Sequence, residues 1–209
     1  MNKQEARTAI FDGFAKLCGP LGFKGKKSES SFTRKTDHGF QQVGFPLWDY
    51  NPVFAFSFNV GLRFDAVQNV VNPFSAYLPD YWDKSTTVIL GPEYFVGRPL
   101  EFKVRSVEEI SDVMTEIGKV FSENVFPLLE HCQTLGAVER LLNDSEGKIF
   151  ISHLDDRAIS GVAAAALCRR PDYTAIVENY RQLLSGHVEP IRQRFEAVVA
   201  HVTANIPAN

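Results

Sequence analysis

Long apolar runs are absent from this 209-residue chain. Nothing approaches the ~20 consecutive apolar residues that a membrane-spanning helix needs. Cysteine is scarce: Cys18, Cys132 and Cys168 are odd in number, widely spaced and without a Cys-x-x-Cys. Such spacing belongs to reduced thiols, not to a disulfide framework or a zinc ligand set. Met1 leads directly into Asn2-Lys3-Gln4-Glu5-Ala6-Arg7, charged where a secretory leader needs an apolar centre. The expectation is a cytoplasmic protein with no membrane partner. One-sided charge is missing as well. The 22 Lys and Arg against 25 Asp and Glu leave a net −3, which gives no global attraction to nucleic acid or anionic lipid.

Recognisable catalytic and metal-binding patterns are equally scarce. No His-Glu-x-x-His occurs. His131 and Cys132 are adjacent on a predicted helix and so point about 100° apart, while His187 and His201 are too distant along one helix. His153 with Asp155 and Asp156 forms the one acidic-histidine cluster, and its plainer role is negative charge at a helix N-terminus. There is no Gly-x-Ser-x-Gly elbow. The segment Gly91-Pro92-Glu93-Tyr94-Phe95-Val96-Gly97-Arg98 lacks the Gly-Lys-Ser/Thr ending of a phosphate loop and reads as a turn. No metal site and no cofactor are expected.

What the chain does contain is architecture. Of its 25 Phe, Trp and Tyr residues, 19 lie at or before Phe102, and helix formers dominate afterwards. This composition predicts an α+β protein: a largely antiparallel sheet of about five strands covered on one face by helices, with a helical C-terminal portion. Residues 1–125 would form the sheet domain and 126–209 a helical extension packed on it.

A first helix is predicted over 4–18 from the three-to-four spacing of Ala6, Ile10, Phe14 and Leu17, ended by Gly19-Pro20. Strands 30–36 and 40–47 flank Asp37-His38-Gly39, a loop suited to a type I turn followed by a left-handed glycine. Residues 53–64 alternate Phe54, Phe56, Phe58, Val60, Leu62 and Phe64 with Ala55, Ser57, Asn59, Gly61 and Arg63, which predicts one half-buried strand. From 65 to 91 an aromatic loop with one short helix is expected, then edge strands near 86–90 and 98–105. Ser106-Val107-Glu108-Glu109 has the pattern of a capping box. The helix behind it carries a wide stripe of Val107, Ile110, Val113, Met114, Ile117, Val120 and Phe121. Further helices are predicted over 128–132, 135–142, 156–168, 173–184 and 188–204, with Asp172 as an N-cap.

One local feature points outward. Lys24, Lys26, Lys27, Arg34 and Lys35 cluster around the first hairpin with Phe23 and Phe32 among them. Basic residues interleaved with aromatics suit single-stranded nucleic acid, but lysines also keep a sheet edge from pairing with another, and the acidic whole favours the second role. If Phe32 faces the core, Arg34 shares that face and must snorkel, pair with a carboxylate or meet a ligand. Lys26, Arg34, Lys35 and Arg63 are the candidate partner-binding residues.

At these positions the chain resembles a bacterial uncharacterised family. The residues are Leu21-Gly22-Phe23-Lys24, Phe32-Thr33-Arg34-Lys35, Gln42-Val43-Gly44-Phe45 and Phe56-Ser57-Phe58-Asn59-Val60-Gly61-Leu62. The family is the one catalogued as domain of unknown function 4304, and the resemblance covers about the first third of the chain. It implies an α+β fold and supplies no catalytic residue. With no catalytic constellation, the function that follows by fold-level analogy is non-catalytic binding of another protein, as in immunity or adaptor proteins. A nucleic-acid binder using the hairpin 24–35 is the alternative, and a hydrolase with dispersed residues such as His153, Asp155 and Arg34 a second.

The cysteine pattern makes a direct prediction. Thiol titration of the denatured, non-reduced protein should count three free thiols; a count of one would mean a disulfide.

Overall fold

The computed structural model describes residues 1–76, 78–144 and 153–206. Tyr77, one of the aromatics of the 65–91 loop, lies outside the described residues. The chain divides into two compact units, each built from two stretches: Met1–Gly61 with Ile89–His131, and Leu62–Val88 with Cys132–Asn209. Against the boundary expected at 125/126, the C-terminal stretch of the second unit starts at Cys132, and that unit also takes in the segment 62–88.

The first unit opens with α1, Lys3–Cys18. Asn2 Oδ1 accepts the Glu5 amide at 2.9 Å and the Glu5 carboxylate accepts the Asn2 amide at 2.8 Å, a reciprocal cap that satisfies two orphan donors. Ala6, Ile10, Phe14 and Cys18 form its buried stripe. Burial pushes the Cys18 thiol up to about 12 and that of Cys132 to about 11, so neither is a ready nucleophile. Strands β1 (Lys24–Lys26), β2 (Ser31–Thr36) and β3 (Gly39–Gly44) follow as an antiparallel meander. The β2–β3 register closes at Thr36 opposite Gly39, leaving Asp37-His38 as the loop. Gly39 takes φ 149° there, which a side chain would disfavour.

The alternating run 53–64 is not one strand. It splits into β5 (Val53–Phe56) and β6 (Asn59–Phe64). With β4 (Leu47–Tyr50) and β8 (Phe102–Val104), β5 forms a three-stranded antiparallel sheet in the order β4-β5-β8. β6 belongs to the five-stranded sheet, whose order is β1-β2-β3-β6-β7, with β7 at Val88–Leu90. Ser57 and Phe58 carry the chain between the sheets: the Ser57 amide donates to the Pro46 carbonyl, and Ser57 Oγ donates to the Leu100 carbonyl at 2.7 Å. Nor is the run half-buried. Ala55 is fully covered, Ser57 is 8% exposed and Arg63 7%. The residues opposite the phenylalanines are mostly small, so their face accepts a cover as readily as it accepts solvent. The segment 91–98 also differs from a simple turn: Pro92–Val96 is a short helix, α3, ended by Gly97 at φ 73°.

Helix α4, Val107–Val120, starts as predicted at Ser106, whose hydroxyl accepts the Glu109 amide at 3.3 Å. The return half of the box is displaced by one residue, because the Glu109 carboxylate accepts from the Arg105 amide. A π-helical turn, Phe121–Val125, joins α4 to α5, Phe126–His131. Phe121 lies within this turn, with ring centroids 5.7 Å from Phe14, 5.0 Å from Phe58 and 5.4 Å from Phe126.

The second unit is mainly helical: α2 (Asp65–Val71), α6 (Leu135–Asn143), α7 (Leu154–Leu167), α8 (Tyr173–Leu184) and α9 (Glu189–Asn205). α7 is its axis, packed against α2, α6, α8 and α9. Residues 158–165 are buried without interruption, as a helix surrounded by others requires. Gly161 is needed there, since a Cβ would come within 2.7 Å of both Tyr180 Oη and Asn143 Oδ1. Asp172 does not cap α8 with its side chain. Both its oxygens accept from Arg170 instead, and this hydrogen bonding holds the Asp172 carboxyl below its usual range.

The covered strand run makes a stability prediction. Phe58→Ala removes a ring packed on Phe95 and Phe121 and should cost about 3–5 kcal/mol. Ser57→Ala leaves the Leu100 carbonyl without its donor and should cost about 1–3 kcal/mol. Urea denaturation measures both; a neutral Ser57→Ala would mean that this face is open to water.

Candidate functional site

The four residues singled out by sequence are divided between the two units. Lys26 and Arg34 lie on β1 and β2 of the first unit, beside exposed Lys35, whereas Arg63 belongs to the second. Arg34 resolves its burial by pairing. Its guanidinium sits 4.9 Å over the Phe23 ring, bonds Gln41 Oε1 through Nε and Nη2, and meets Glu130 at 2.6 Å. Gln41, itself 2% exposed, passes the connection on to the Leu129 carbonyl at 2.7 Å. Together these bonds tie β2 and β3 to α5. Arg63 is likewise engaged within the fold. It reaches Asp65 at 2.6 Å and donates to the carbonyls of Trp82 and Ser85. Ser85 Oγ in turn meets Gln68 and Asn72.

The lysines remain at the surface. Lys26 pairs with Glu29 at 2.7 Å, and the Lys27 ammonium stands 5.9 Å from the Phe11 ring centroid. Phe23 and Phe32 are only 5% and 2% exposed, so the rings that base stacking would need face inward. His153 is the N-cap residue of α7, and Asp155 and Asp156 stand in its first turn. Arg194 on α9 holds both carboxylates, at 2.8 and 3.3 Å. Burial, then the charge of Asp155, push the Asp156 carboxyl up. Among the described residues no group of three or more His, Cys, Asp or Glu is placed to hold a metal ion.

The structure adds a site that the sequence motifs did not indicate. A groove of about 880 Å³ runs between α1 and α4. Gly13 faces Met114 and Leu17 faces Gly118, so the two helices advance in the same direction. A Cβ on Gly13 would come within 2.6 Å of Met114 Cγ; glycine there lets Met114 seat itself against α1. The floor is apolar, made by Ala9, Leu17, Ile110 and Met114. Val107 stands at its edge, 49% exposed.

Polar residues line the sides: Glu5, Thr8, Asp12 and Lys16 from α1, and Ser111 and Thr115 from α4. Glu108 and Asp112 stand three residues before Ser111 and Thr115, one row nearer solvent on the same helix side, and both are exposed. Hydrogen bonds from the helix-start backbone and from Ser106 hold the Glu108 carboxyl below its usual range. Carboxylates are thus spread along the groove, Glu5 and Asp12 on the α1 side and Glu108 and Asp112 outward on the α4 side, while Lys16 and exposed Lys119 stand toward its C-terminal end. The one sequence signal for this groove is the width of the α4 stripe. Its first member, Val107, stays half exposed while Ile110, Met114, Ile117 and Phe121 are buried.

Comparison with family models, with curated proteins and with solved structures returned no match. The fold is α+β, and no described helix is long and apolar enough to cross a membrane.

The Arg34 geometry separates structural from surface charge. Arg34→Met breaks the Glu130 pair and strips Gln41 of its donor, so it should cost about 1–3 kcal/mol. Lys26→Gln and Lys35→Gln should each stay within about 0.5 kcal/mol of the parent. Denaturation midpoints test the contrast, and an unaltered Arg34→Met would mean that the arginine is held for a ligand.

Proposed function

We propose that this chain is a non-catalytic protein-binding module of the immunity or adaptor kind, which receives a segment of its partner in the groove between α1 and α4. The groove itself carries the proposal: its floor is apolar and its walls are two regular, capped helices. Exposed apolar surface rimmed by polar residues is characteristic of a protein-binding surface. The titratable clusters support the same conclusion. Arg34, Arg63 and the Asp155–Asp156 pair are all engaged by partners within their own units. Three unpaired cysteines, two of them buried, suit a reducing cytoplasm.

The nucleic-acid alternative ranks lower because Phe23 and Phe32 are buried and the chain is net acidic. Mixed-sequence oligonucleotides should show no retention by fluorescence anisotropy at ~0.15 M salt, where screening acts over about 8 Å. Micromolar binding that disappears when the hairpin lysines become glutamine would reverse the order.

The direct test of protein binding is a selection. Random 16-residue displayed peptides are panned against the native protein and against Thr115→Trp, which fills the groove from an exposed position. Peptides should be enriched on the native protein and lose at least tenfold in affinity on the variant. If no enriched peptide depends on the groove, this function is wrong.

A further inference from the structure

The groove's shape and charge specify more than the presence of a partner. Its lining extends from Asn2 to Leu17 on α1, about 22 Å at the helical rise of 1.5 Å per residue. Four turns of a third helix, about 15 residues, match that length. An extended segment of the same span would need only six or seven residues, and it would lay backbone donors and acceptors against a floor of Ala9, Ile110 and Met114 with nothing to pair them. A helix satisfies its own backbone and presents side chains alone. Two parallel helices with an apolar channel between them accept such a ridge by ordinary helix packing.

Charge then selects the kind of helix. Glu5 and Asp12 line the groove, and Glu108 and Asp112 stand one row outward on the exposed side of α4, so carboxylates are spread along it from Glu5 to Asp12. The Glu5 carboxylate also caps its own helix and that of Glu108 is hydrogen-bonded at the start of α4, leaving Asp12 and Asp112 the less committed charges. Lys16 and Lys119 lie toward the groove's C-terminal end. Like charges across an interface cost affinity and slow encounter, whereas complementary potentials steer it.

From this geometry we infer that the groove's occupant is a basic amphipathic helix of about four turns. Its apolar stripe lies on Ala9, Leu17 and half-exposed Val107, and its Lys or Arg residues face Asp12 and Asp112. The inference rests on the protein-binding function proposed above and names the chemistry of the partner.

The test uses two synthetic 16-residue peptides, acetylated and amidated, each with Leu and Ala at helical i, i+3, i+4, i+7 spacing. One carries Lys at the flanking positions, and its twin carries Glu at the same places. Fluorescence anisotropy with the full chain should give the basic peptide at least tenfold tighter binding. Asp12→Lys combined with Asp112→Lys should invert the preference, and Thr115→Trp should remove binding of both. All three positions are at least partly solvent-facing on their helices, and unchanged urea midpoints confirm that the variants fold. Absence of basic-peptide binding, equal affinity for the twins, or indifference to Thr115→Trp overturns the inference. The two proposals fail separately. If the display selection yields groove-dependent peptides that are acidic or rich in proline, the protein-binding function stands and the basic helix does not.

Discussion

The first unit is organised by phenylalanine rings that meet from distant parts of the chain. Phe14 of α1 stacks on Phe45 with centroids 5.3 Å apart and planes within 7°, and it meets Phe121 at 5.7 Å. Phe121 carries the contact on to Phe58, between the two sheets, and Phe58 reaches Phe95. Each such pair contributes about 0.5–1.5 kcal/mol beyond the apolar area it buries. Geometry matters more here than the sum. Rings from α1, the β5–β6 junction and the end of α4 converge on Phe14 and Phe121, so the positions of these elements depend on each other. The π-helical turn at Phe121–Val125 coincides with this convergence, where an extra residue in the turn re-aims side chains relative to the helix before it.

That convergence also shapes the groove. Phe14 and Phe121 pull the C-terminal ends of α1 and α4 onto the core, and Met114 fits against Gly13 farther back. Only one side of each helix is occupied by this packing. α1 directs Ala6, Ile10, Phe14 and Cys18 inward, which leaves Ala9, Gly13 and Leu17 to form one wall of the groove. α4 buries Ile110, Met114 and Ile117, while Val107 stays at the edge. α1 packs on β1 of the five-stranded sheet and α4 on β8 of the three-stranded one, so the two helices lie side by side and expose a channel along their line of contact.

Arginine has a parallel role in both units. Arg34 fastens β2 and β3 to α5, Arg63 gathers the carbonyls of 82 and 85, and Arg170 meets Glu139, Asp144 and Asp172 within the helical unit. Glu139 is only 2% exposed, so its pairing with Arg170 and with the Asn143 amide satisfies a carboxylate that would otherwise be costly to bury. The planar guanidinium, with five donors, can serve carbonyls and carboxylates together, which a lysine ammonium does less well. This explains why Lys24, Lys26, Lys27 and Lys35 stay at the surface while Arg34, two residues from Phe32 on the same strand, points inward.

Local order was legible in the residues themselves. α1 followed from its apolar spacing and Gly19-Pro20, the β2–β3 hairpin from its Asp37-His38-Gly39 turn residues, and α4 from the Ser106 cap and the apolar stripe behind it, because each is decided by neighbours a few positions apart. Burial at distance was not legible. The alternation from Val53 to Phe64 correctly marked the buried phenylalanines, but Ala55, Ser57 and Gly61 are as suited to a second cover as to water. Only the tertiary structure decides which they meet. It also breaks the run at Ser57, where bonds to Pro46 and Leu100 replace the ladder. The predicted role of Asp172 failed for a related reason: a carboxylate can accept from an amide or from a guanidinium, and Arg170 lies close enough to win. The α1–α4 groove depends on two helices separated by nearly ninety residues. Sequence determined the amphipathic face of each helix; which flank stayed uncovered was decided by the long-range packing of Phe14, Met114 and Phe121.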